Sequence, residues 1–104
     1  MLPAKIRELV VELRDRTERG LITWSYDDDK ATVTTDQKKF VFSITYRFDE
    51  IEEVGRFNIT HVDKMSQKEY FFSSAQTHQD YDQVRALFDS AQSSDLDLDL
   101  DLGL

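Results

Sequence analysis

The run Lys39-Phe40-Val41-Phe42-Ser43-Ile44-Thr45-Tyr46-Arg47-Phe48 alternates between apolar and polar residues almost throughout. In an extended chain successive side chains point to opposite faces. Phe40, Phe42, Ile44, Tyr46 and Phe48 therefore share one face, and Val41, Ser43, Thr45 and Arg47 share the other. That pattern predicts an antiparallel strand with one face on a core and one in water. Five large side chains, each contributing about 1.5–3 kcal/mol when fully buried, make this the strongest core element in the sequence.

An apolar strand face needs a cover, and the flanking sequence supplies two amphipathic helices. The first is predicted between Pro3, which opens a helix without losing a hydrogen bond, and Gly20, which suits a left-handed cap. Leu2, Ile6, Leu9, Val10 and Leu13 recur three and four apart and form its apolar stripe. The charged remainder is of mixed sign, with Glu12 and Arg16 a favourable pair, and reads as a solvated face. The second helix is expected to open near Thr77, as cap, and Asp80, with Tyr81, Val84, Leu87, Phe88 and Ala91 as its stripe.

The intervening sequence predicts four more strands. Residues 21–26 place Ile22, Trp24 and Tyr26 on one face, and residues 31–35 are short and β-branched. Residues 56–62 turn Phe57 and Ile59 inward, and residues 68–73 contain Tyr70, Phe71 and Phe72. Turns are predicted at Asp27-Asp28-Asp29, at 36–38 and at 63–67, with a loop or helical turn at 49–54 ended by Gly55. The predicted fold is α+β: an antiparallel β-meander of about five strands, with N- and C-terminal helices packed on one face. Residues 1–94 form one domain, which 104 residues are long enough to support. Residues 95–104 form an acidic Asp-Leu repeat, expected to be mobile.

Composition narrows the chemistry. Without cysteine there is no disulfide framework, thiol nucleophile or zinc-thiolate site, and the cytoplasm is the expected compartment. No apolar run approaches the ~18 residues of a membrane span, so no membrane partner is expected. Asp95, Asp97, Asp99 and Asp101 supply four of the eight net negative charges, leaving a mildly acidic body that argues against phosphate-backbone binding. His61 and His78 are all the sequence offers for acid–base work near neutral pH, and a small hydrolase using either would require them to converge with a carboxylate, which no spacing indicates. The three adjacent aspartates lack the spaced ligands, glycine and distal glutamate of a calcium loop. No cofactor, metal or catalytic residue is assigned.

The last ten residues carry the one specific pattern. When extended, Leu96, Leu98, Leu100, Leu102 and Leu104 lie on one face, with Asp95, Asp97, Asp99 and Asp101 opposite. This is an amphipathic strand lacking a partner, and it makes those nine residues the candidate partner-binding set through addition to a sheet edge. Their Leu-x-Leu-x-Leu core resembles the amphiphilic repression motif of plant transcription repressors, which implies docking on another protein. The charged first helix leading through Arg19, Gly20 and Leu21 to Trp24, then a meander and closing helix, resembles small uncharacterised bacterial accessory proteins, some carried by phage or plasmids. Gly20-Leu21, the acidic turn and the strands after it are also similar to acidic type III secretion chaperones, which implies a dimer binding an extended substrate. The reading is a non-enzymatic protein-binding or accessory module, monomeric or weakly dimeric, with another protein as partner.

Overall fold

The computed structural model describes residues 1–95. The elements follow in the order α1 (Ala4–Glu18), β1 (Ser25–Asp27), β2 (Thr32–Asp36), β3 (Phe40–Asp49), β4 (Val54–Asp63), β5 (Glu69–Ala75) and α2 (Tyr81–Ser94). The strands form one antiparallel sheet in the order β1-β2-β3-β4-β5, an open meander with β3 at its centre. Both helices cover the same face, giving the α+β architecture that the two apolar stripes require.

The register explains why that face is apolar. Val33 pairs with Ile44 and Ile44 with Ile59; Phe42 pairs with His61, and Tyr46 with Phe57. Phe42, Ile44, Ile59 and Val33 are essentially inaccessible, and Val84, Leu87, Phe88 and Ala91 of α2 and Val10 and Leu13 of α1 close over them. The opposite face carries Thr32, Thr34, Ser43, Thr45, Asn58 and Thr60, with cross-strand contacts between the hydroxyls of Thr32 and Thr45 (2.7 Å) and of Thr34 and Ser43 (3.2 Å). Hydroxyl pairs of this kind favour strand pairing without needing a second layer.

Local chemistry fixes the end of α1 but not the start of α2. The Gly20 and Leu21 N–H groups donate to the Thr17 and Arg16 carbonyls (3.1 and 2.9 Å), and Gly20 has φ 75°, a Schellman cap that ends α1. Arg16 and Glu12 form the expected pair on the solvated face at 2.7 Å. α2 begins later than Thr77 suggests. Asp80 is the residue before its first turn, but its carboxylate does not cap that turn. It accepts from the Leu2 N–H (2.6 Å) and from the Ser74 hydroxyl, because a buried carboxylate is satisfied by whichever donors the packing brings to it.

Three other expectations are corrected. Trp24 and Ile22 precede β1 instead of lying within it, and Trp24 is fixed by its own contacts: its indole N–H donates to Thr17 Oγ1 (2.9 Å) and its ring meets Phe42 edge-on. Gly55 lies inside β4 and ends no loop; the left-handed residue of the preceding turn is Glu53, at φ 56°. A Cβ at Gly55 would stand 2.8 Å from the Tyr46 hydroxyl and 2.9 Å from that of Tyr81, so the glycine makes room for two phenols. Phe48, at the far end of β3 and beyond the cover of either helix, is exposed.

Candidate functional site

A sheet that does not close has two edges, each a row of backbone donors and acceptors. At β1 the outward N–H groups are those of Trp24 and Tyr26, and both are taken: Trp24 donates to Ser94 Oγ (3.1 Å) and Tyr26 to Asp95 Oδ2 (3.2 Å). The last turn of α2 therefore finishes this edge. Asp95, one of the residues singled out in the sequence, is an edge cap here; Leu96, Asp97, Leu98, Asp99, Leu100, Asp101, Leu102 and Leu104 lie outside the described residues.

The β5 edge is finished over only part of its length. The Asp63 N–H donates to the Lys68 carbonyl (2.9 Å), which sets the phase of the ladder: Tyr70, Phe72 and Ser74 bond inward to β4, and Glu69, Phe71, Ser73 and Ala75 turn their backbone groups outward. At the upper end three of the four such groups of Ser73 and Ala75 are taken. The Met1 amino group donates to the Ser73 carbonyl (3.2 Å), and the Ala75 N–H to His78 Nδ1 (3.0 Å), while the His78 N–H returns to the Ala75 carbonyl (2.8 Å). At the lower end, the outward groups of Glu69 and Phe71 have no hydrogen-bond partner among the described residues.

Apolar surface flanks this open half on both sides. On the helix side is a cavity of about 290 Å³ lined by Pro3, Lys5, Ile6, His61, Tyr70 and Phe72. Its His61 wall is held by stacking on Phe40 at 5.0 Å and an edge contact with Tyr70 at 6.1 Å. On the other side Phe71 is 69% exposed, opposite Thr60 and diagonal to Val62, which pairs with Val41. A larger hollow of about 380 Å³ lies at the other edge, lined by Asp27, Asp28 and Asp29 together with Ser25, Tyr26, Thr32 and Thr34.

Asp80 anchors the closed half of β5. Burial alone raises its pKa, but the hydrogen bonds from Ser74 and the Leu2 N–H outweigh that and hold it below the ordinary aspartate value. Its carboxylate thus ties the segment before α1 beside Ser73 to Ala75, leaving Glu69 to Phe71 uncovered.

The two histidines do not meet. His61 is paired with Tyr70 and His78 bonds Ala75, five residues further along β5, roughly 16 Å at the rise of a strand. His78 sits in the turn before α2, not in its first turn. Among the described residues no three His, Cys, Asp or Glu side chains are grouped to hold a metal ion, and no helix is long and apolar enough to cross a membrane. The β5 edge escapes sequence reading, although the run Tyr70-Phe71-Phe72 carries a signal: without alternation, one of three adjacent aromatics must face away from the core. No protein-family model, curated protein or solved structure matches this chain.

Proposed function

We propose that this chain is a non-enzymatic protein-binding module whose β5 edge accepts an extended segment of another polypeptide as a sixth strand. The observation that carries the reading is the backbone of Glu69 and Phe71, without a partner among the described residues, between an apolar cavity and the exposed Phe71 ring. In strand addition the main chain supplies affinity and alternate side chains supply selectivity. Here one set of side chains enters the hollow between Ile6, Tyr70 and Phe72, and the other runs beside Phe71. Folded proteins ordinarily blunt such edges, and this chain does so at β1, so an edge left open between two apolar surfaces is a feature that calls for a ligand.

A short peptide alternating leucine with threonine tests this against a peptide of the same composition with its leucines in one block. The alternating peptide is expected to slow amide exchange at Glu69 and Phe71 and leave Trp24 and Tyr26 unchanged, while the blocked peptide does neither. Exchange at Glu69 and Phe71 that no alternating peptide alters, even at about millimolar concentration, overturns the reading.

A further inference from the structure

We propose that the strand accepted at the β5 edge is the Asp-Leu segment that follows Asp95, residues 96–104, of a second copy of this chain; the inference rests on the strand-addition reading above. The segment has the required period. Its leucines stand two apart, so when it is extended all of them face the side on which Ile6, Tyr70 and Phe72 leave the cavity, and its aspartates face the other. None of the chain's own five strands is needed for this pairing, since β1 to β4 are already joined and β5 is the recipient.

Charge distinguishes the two edges as hosts. The β1 edge adjoins Asp27, Asp28 and Asp29, which repel the three aspartates that follow Asp95. Lys5 lines the β5 cavity and Lys68 immediately precedes β5, with Lys39 bonded through its carbonyl to the Lys64 N–H at the same end of the sheet. Lys64 is already paired with Asp36, Lys5 lies on the leucine side, and Glu69 shares the aspartates' face with Phe71, so the β5 edge is mixed in charge where the β1 edge is acidic, and Glu69 opposes the segment.

Reach excludes the copy's own segment. Asp95 is fixed to Tyr26, and Tyr26 lies in the same cross-sheet row as Phe72, through Val33, Ile44 and Ile59. Four strand spacings make that about 19 Å. Residues 96–104 span at most about 30 Å when extended, so a straight crossing consumes about six of the nine and leaves too few to pair. A second copy has no such constraint. Reciprocal exchange closes a dimer, and one-way addition builds a chain of copies.

The test is sedimentation of the full chain from about 5 µM to about 500 µM, with amide exchange followed at Glu69 and Phe71. The expected result is concentration-dependent association that protects those two amides. The double variant Leu98→Ser, Leu100→Ser should weaken it by roughly tenfold or more, and Glu69→Lys should strengthen it. A chain that stays monomeric throughout, or associates equally well in the leucine variant, overturns the proposal. If the chain is monomeric while the alternating leucine–threonine peptide still protects Glu69 and Phe71, the occupant is wrong and the strand-addition reading stands. If neither protects them, both fail.

Discussion

The two edges of this sheet present the same backbone chemistry and are finished in different ways. At β1, Ser94 and Asp95 place oxygen acceptors on the Trp24 and Tyr26 N–H groups, and the Trp24 ring is buried beneath α1. At β5, Met1 and His78 take the Ser73 carbonyl and both Ala75 groups, while Glu69 and Phe71 have no backbone partner among the described residues and lie between the apolar cavity and the exposed Phe71 ring. An edge strand is a hazard when it is uncovered and a recognition element when its neighbours select what is added. In this sheet the outward N–H groups of one edge are capped, and among the described residues half of the other is not. Closure at β1 depends on α2 ending beside it, and opening at β5 on the N-terminal segment covering only the upper half.

The comparison breaks first at Trp24. Trp24→Ala removes a buried ring and its hydrogen bond to Thr17, and should cost about 3–5 kcal/mol in urea denaturation. A cost near zero would mean that the β1 edge is not held by the core at all.

Asp80→Asn tests the closed half of β5. Losing a buried charged acceptor for Leu2 and Ser74 should cost about 1–3 kcal/mol. The pH dependence has a definite sign. The folded-state pKa of Asp80 lies below its ordinary value of 3.8, so its contribution is complete above that value and is lost as the pH falls through the folded-state pKa. Denaturation midpoints measured between neutral and strongly acid pH should therefore show a smaller acid loss in the asparagine variant than in the parent chain. An equal loss would assign the acid sensitivity elsewhere.

Ser94→Ala leaves the Trp24 N–H without its acceptor and should cost about 0.5–1.5 kcal/mol, with faster amide exchange at Trp24 and no change at Phe71. Exchange that rises equally at both edges would show that α2 does not guard β1 in particular. The smallest effect belongs to Phe71→Ala, whose side chain is already in water: stability should stay within about 0.5 kcal/mol, while strand addition at β5 is lost. A large loss of stability there would make Phe71 a core residue and remove the contrast.

The alternation at 40–48, the stripe from Tyr81 to Ala91 and the Gly20 cap were legible because each depends on local geometry: the two-residue period of a strand, the 3.6-residue period of a helix, and the one residue type that takes positive φ without strain. Leu13, Val10, Phe57 and Ile59 fall inside as their spacing requires. Phe48 has the right spacing and is exposed, because periodicity assigns a face and not the extent of what covers it.

By itself, then, the sequence determined the helix–meander–helix order, the apolar face of β3 and an acidic segment with leucines two apart. Tertiary structure alone decided that Asp80 turns back to Leu2 and Ser74 instead of capping α2, that Gly55 lies under two tyrosine hydroxyls within a strand, and which outward backbone groups find a partner among the described residues. The physical reason is range. Periods and caps are set by residues within a turn or two of each other, whereas the finish of an edge depends on residues some 70 positions apart, such as Trp24 with Ser94 (70 apart) or Met1 with Ser73 (72 apart), that meet only after the sheet and helices have packed.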